Sequence, residues 1–95
     1  MRALLAALLL FAAADADAVG QARCGSSERF GNSVVRVGDS ERRVIEAAGR
    51  PDMERQLENR QGGAAGIRMD YYRRSQTIQI YIERGVVVDI CRVRN

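Results

Sequence analysis

The chain has no histidine, no lysine and no tryptophan, and it carries one proline, two cysteines and few aromatics, 5% of its 95 residues. The missing histidine removes both the side chain most often used as general base near neutral pH and the commonest metal ligand. Acid–base work would fall to a carboxylate pair, but the acids are scattered at solvated positions. Ser26, Ser33, Ser40 and Ser75 have no evident base partner, and no Gly-rich run precedes a helix with a lysine to hold phosphate. Gly62-Gly63 lacks the strand and helix flanks of a phosphate cradle and reads as a linker. The expectation is a protein that is not an enzyme, with no catalytic residues and no cofactor.

What is present begins with a short positive start, Met1-Arg2, and an apolar run from Ala3 to Ala14. A bilayer span needs about 20 such residues, so no integral membrane span is expected. Ala16-Asp17-Ala18 follows, with small side chains where a signal peptidase needs them. Residues 1–18 therefore read as a cleavable signal peptide, with cleavage after Ala22 as the alternative. A lipid anchor on Cys24 is disfavoured, because Gln21-Ala22-Arg23 lacks the Leu-then-small pattern such a site requires. The expected location is the periplasm, with release to the medium as a second destination.

Residues 19–95 contain fourteen arginines and ten carboxylates, a net charge of about +4. Only Arg42-Arg43 and Arg73-Arg74 are adjacent, and acids are interspersed, so no basic stripe of the kind a nucleic-acid site requires appears, and no nucleic-acid partner is expected. The exclusive use of arginine is what codon bias in a GC-rich genome produces. The charge permits weak attraction to anionic membrane surfaces or cell-wall polymers. Two cysteines, Cys24 and Cys91, lie at opposite ends of an exported domain, where disulfides form and persist. With one pair, a disulfide has only one intrachain connectivity. No CxxC and no cluster of ligand types supports a redox or metal reading, so no metal is expected.

Residues 19–33 are Gly/Ser-rich with Phe30 as their only large apolar group, and read as an ordered N-terminal arm or loop, with regular structure beginning after it. The domain proper is placed at 34–95. Val34, Val35 and Val37 form a short strand, Asp39 or Ser40 caps a helix bearing Val44, Ala47 and Ala48, and Gly49 and Pro51 stop it after about two turns. Met53 to Asn59 reads as a weaker edge strand. The last three segments have period-2 patterning. A four-residue loop at 73–76 sets Tyr71, Met69 and Ile67 opposite Ile78, Ile80 and Ile82. A three-residue loop at 83–85 sets Ile82, Ile80 and Ile78 opposite Val86, Val88 and Ile90. The expected fold class is α+β, two layers, a short helix packed on a three-stranded antiparallel β-meander with a possible fourth strand.

In that register the opposite face collects Arg68, Asp70, Tyr72, Thr77, Gln79, Tyr81, Val87, Asp89 and Cys91. It is either a solvated face partly covered by the arm or a partner-binding surface, since tyrosine beside arginine and aspartate is common at interfaces. Arg68, Asp70, Tyr72, Gln79, Tyr81 and Asp89 are the candidate binding residues.

Val37-Gly38-Asp39-Ser40, Val44, the Gly49-Arg50-Pro51 turn and the strand-Gly85-strand hairpin together resemble the BamE-like (SmpA/OmlA) superfamily of small bacterial envelope domains. With Cys24-Gly25-Ser26 ahead of the Val-rich strand, the chain is most similar to an exported family known as a domain of unknown function. The lipid-attachment cysteine of the lipoprotein members is missing. Relatives often carry a cysteine before the G-x-P turn, where this chain has Ala48. The resemblance implies a non-catalytic binding or scaffolding module of the cell envelope, with a protein partner and a link to outer-membrane assembly or integrity. An inhibitor-like secreted protein that binds an enzyme is the alternative.

Overall fold

The computed structural model describes residues 22–95. The signal peptide expected at 1–18 and its expected cleavage after Ala18 lie outside the described residues. Seven strands and one helix follow in the order β1 (Ala22–Gly25), β2 (Ser27–Phe30), β3 (Ser33–Arg36), α1 (Glu41–Ala48), β4 (Met53–Glu58), β5 (Ala64–Tyr72), β6 (Gln76–Glu83) and β7 (Val86–Arg94). Five of them form an antiparallel sheet in the order β1-β7-β6-β5-β4, and β2-β3 form a separate hairpin.

This overturns the expectation of a helix on a three-stranded meander. The supposed arm supplies β1 and β2 and begins β3. β1 adds to the sheet edge by pairing with β7, Cys24 directly opposite Cys91, and all four of its residues are exposed. The hairpin joins the helix in the second layer, so the sheet's apolar face is covered by both. Val35 of β3 and Val44 of α1 are completely buried, in one cluster with Met69, Tyr71, Ile78, Ile80, Ile82, Val87 and Ile90.

The helix forms as its caps dictate. Ser40 Oγ accepts a hydrogen bond from the Arg43 amide at 3.0 Å, satisfying one of the free donors of the first turn. Gly49 ends the helix at φ 81° while its amide reaches the Ile45 carbonyl at 2.9 Å. The Tyr71 hydroxyl then donates to the Gly49 carbonyl at 2.8 Å, fastening the helix end to the sheet. Burial, helped by Asp52 and Glu54, pushes the Tyr71 phenol up to about 12.

The β5–β6 register is the expected one, with Tyr71 opposite Ile78, Met69 opposite Ile80 and Ile67 opposite Ile82. The β6–β7 register is not. Its turn is the two-residue Arg84-Gly85, with both φ positive at 54° and 77°, which is the chemistry of a type I′ hairpin. Glu83 pairs with Val86, and a bulge then shifts the ladder so that Ile82 faces Val87, Ile80 faces Ile90 and Ile78 faces Arg92. Val87 thereby turns into the core at 1% exposure, while Val86 and Val88 stand 40% and 42% exposed. The bulge frees Val87 to bond sideways: its amide donates to the Asp39 carbonyl and its carbonyl accepts from Gly38, both at 2.8 Å. The segment 38–40 thus lies along the β7 edge at Val86 and Val87, beyond the reach of β1.

Candidate functional site

The alternation of β5, β6 and β7 places Arg68, Asp70, Tyr72, Gln79, Tyr81 and Asp89 on the sheet face opposite the helix and hairpin. Arg68, Tyr81 and Asp89 form one cross-strand row, and Asp70, Gln79 and Cys91 the next. Val87, expected here, lies in the core instead. Among the described residues no element packs over this face.

The face is ordered by its own side chains. Arg68 grips Asp70 with two parallel bonds, Nε to Oδ1 at 2.7 Å and Nη2 to Oδ2 at 2.8 Å. Such a fork is the stronger class of ion pair, and Asp70 is buried at 5% exposure beneath its neighbours. The bond to Asp70 holds the Arg68 guanidinium above its ordinary range, with burial working in the opposite sense. The Tyr81 hydroxyl donates to Gln79 Oε1 at 3.3 Å. These four residues make a fixed polar plate.

Asp89 accepts from the Ile90 amide at 3.0 Å, and its other oxygen lies 3.7 Å from Cys91 Sγ. Cys24 and Cys91 are joined by a disulfide on this face, so the sulfur carries no proton and the contact is not a hydrogen bond. Cys24, Asp89 and Cys91 are grouped closely enough to suggest metal ligands, but oxidised sulfurs offer no thiolate. Tyr72 stands apart from Tyr81. It is 55% exposed and lies four residues along β5 from Arg68, roughly 13 Å by strand rise. Arg68, Tyr72 and Tyr81 therefore do not form a single patch.

A second polar constellation carries no signature in the sequence. Glu28 of β2 is buried at 6% exposure, yet it accepts from Arg92 Nε at 2.6 Å and from Arg73 Nη1 at 3.0 Å. Arg73 also lies over the Phe30 ring at 4.8 Å, and Phe30 meets Tyr71 edge-on at 5.2 Å between centroids. A carboxylate between two guanidinium groups binds the hairpin to the sheet. Beside it a cleft of about 120 Å³ is lined by residues including Arg23, Ser27, Glu28 and Arg92. A wider open groove of about 640 Å³ runs past Gly66, Arg84 and Val88. In the first, the Glu28 carboxylate is already taken up by Arg73 and Arg92. Set against protein-family models, characterised proteins and solved structures, the chain matches none of them.

Proposed function

We propose that this domain is a non-catalytic binding module of the bacterial cell envelope, working in the periplasm and engaging a protein partner through the outer face of its five-stranded sheet. The observation that carries the reading is that face itself: uncovered among the described residues, yet ordered by the Arg68–Asp70 fork and the Gln79–Tyr81 bond. Pre-organised arginine and tyrosine lose little side-chain freedom on docking. The carboxylates Glu28, Asp52 and Asp70 are committed to arginines or to backbone amides, which supports binding over acid–base chemistry. The Cys24–Cys91 disulfide is compatible with an oxidising, exported location. The link to outer-membrane assembly rests on the sequence resemblance alone.

The test is a pair of adjacent substitutions. Tyr81→Ala should leave the melting curve nearly unchanged, as truncations outside a core do, and should abolish partner capture by a photo-crosslinker placed at residue 79. Ile80→Ala, fully buried, should cost about 2 to 5 kcal/mol of stability. If Tyr81→Ala unfolds the domain as badly as Ile80→Ala, another surface covers that face and the binding site does not exist. Recovery of the protein from the culture medium and not from the envelope would favour an inhibitor-like role.

A further inference from the structure

Six arginines far apart in sequence meet at one end of the sheet. Arg23 of β1 stands directly opposite Arg92 of β7, and Arg94 follows two residues on, opposite Gln76. The β5–β6 turn contributes Arg73 and Arg74. Asn95 ties the end of β7 to that turn, its amide donating to the Ser75 carbonyl at 3.0 Å and its side chain to the Arg73 carbonyl at 3.2 Å. Arg73 in turn donates to the Arg29 carbonyl at 2.8 Å, which brings in the hairpin. All but Arg73 are exposed.

Two carboxylates reach this end. Glu28 is enclosed by Arg73 and Arg92, and Asp52 accepts from the Tyr72 amide at 2.8 Å. Elsewhere in residues 22–95 the remaining eight arginines meet eight carboxylates, so the whole excess of side-chain charge is concentrated here. The ion pairs among the described residues use Arg73 and Arg92 but not Arg23, Arg29, Arg74 or Arg94. Arg23 stands opposite Arg92, whose charge Glu28 already engages, so Arg23 is the member of the pair left for an incoming negative charge.

We propose that this arginine-rich end docks the domain on an anionic lipid bilayer surface. The guanidinium groups are spread over a strand edge, a turn and a hairpin, which suits a broad charged plane. They do not converge on a cage for one small anion, and the adjoining cleft has the Glu28 carboxylate in its wall. Tyr72, exposed at the same end of the sheet, is the amphipathic ring that sits well at headgroup level. A single nucleic-acid strand would need a continuous basic groove with several stacking rings. The choice of lipid over other polyanions rests on the exported location proposed above; the charge cluster does not. The part of the outer sheet face around Arg68 and Tyr81, roughly 13 Å from Tyr72 by strand rise, stays free, so one molecule can hold a partner while seated on a membrane.

Each arginine near an anionic leaflet strengthens binding about fivefold. The exported, disulfide-bonded protein should co-sediment with vesicles of phosphatidylcholine and phosphatidylserine in equal parts, not with phosphatidylcholine alone, and should be released by high salt. The triple variant R23Q/R74Q/R94Q should lose about a hundredfold in vesicle affinity while keeping its melting temperature. R42Q/R50Q/R60Q removes the same charge elsewhere and should lose less than about threefold. Y81A should bind vesicles normally, which separates this surface from the partner face. Equal binding to neutral vesicles, equal losses in the two triple variants, or binding to single-stranded RNA or polyglutamate without binding to vesicles would each overturn the proposal.

Discussion

Gly66→Ala should be among the most damaging single-atom additions to this chain. Gly66 sits in β5 opposite Leu57, at φ 131°, and a Cβ built there would lie 2.2 Å from the Ile82 carbonyl oxygen and 3.1 Å from Glu83 Cγ. The conformation alone is nearly reserved for glycine and costs about 1 to 3 kcal/mol for other residues. Moving the carbonyl is harder than moving a side chain, because Ile82 lies at the shift in the β6–β7 ladder; forced backbone displacement of this kind adds about 1 to 3 kcal/mol. We expect a loss of about 2 to 6 kcal/mol, against the roughly 5 to 15 kcal/mol that is typical of a whole domain. Gly62→Ala is the control. Gly62 also has positive φ, 85°, but nothing lies within 4 Å of its added Cβ, so only the left-handed penalty of about 1 to 2 kcal/mol applies. Urea unfolding followed by circular dichroism would compare the two. Stabilities within about 1 kcal/mol of each other would refute the close approach of β5 and β6, since that is all the strain terms alone distinguish.

Three further outcomes follow from the core and its fastenings. Glu28→Gln removes a buried carboxylate, but Arg73 and Arg92 keep side-chain exposures of 33% and 54% and can rehydrate, so the cost should be about 2 kcal/mol rather than the larger penalty of a stranded interior charge; a urea midpoint unchanged from wild type would refute it. Exported protein should weigh about two mass units less before reduction than after, and reduction should remove about 4 kcal/mol of stability in the chain-entropy model, given the 67-residue separation of the cysteines; free thiols in exported protein would contradict this. Tyr71, raised to about 12 when folded against 10.0 as a free phenol, favours the folded state fully below pH 10 and loses that contribution as pH rises through 12, so in an ultraviolet titration this phenol should ionise near pH 12, and Tyr71→Phe should remove that step and flatten the alkaline loss of stability.

The helix and the β5–β6 hairpin were legible because their signals are local. Ser40, Gly49 and Pro51 bracket α1, and Met69, Tyr71, Ile78 and Ile80 repeat at period two on either side of a short turn. The weaker edge strand expected at Met53 to Asn59 is β4, which ends one residue earlier, at Glu58, its polar run matching its exposure. The strands of the N-terminal segment were not legible. β1 is exposed along its whole length, so it carries no alternation, and β2 offers the interior one phenylalanine and one glutamate. Their partners are set by a disulfide and by ion pairs to residues 45 and 64 positions away, and no window of sequence contains both members. The β7 error has a different origin. Val86, Val87 and Val88 are identical as a pattern, and only the bulge, held by backbone bonds from Gly38 and Asp39, decides which of them turns inward. The same folding together of distant segments hid the arginine cluster, which in linear order is diluted by acids.

The two edges of the five-stranded sheet are treated differently, and this bears on self-association. β1 and residues 38–40 lie along one edge at β7, while among the described residues no strand pairs with the outer edge of β4. Exposed strand edges invite pairing between copies. In a two-fold antiparallel pairing of β4 with itself, residues on one face meet residues on the same face. Centring the pair on Glu54 sets that carboxylate against its own copy, centring it on Arg55 opposes two guanidinium groups, and centring it on Gln56 brings Glu54 against Glu58. Like charges directly across a ladder are destabilising. Each of these registers is thus penalised, whereas an unrelated strand with complementary charges meets no such penalty. A short edge made of Met-Glu-Arg-Gln-Leu-Glu can remain open in a crowded compartment without making the molecule its own preferred partner.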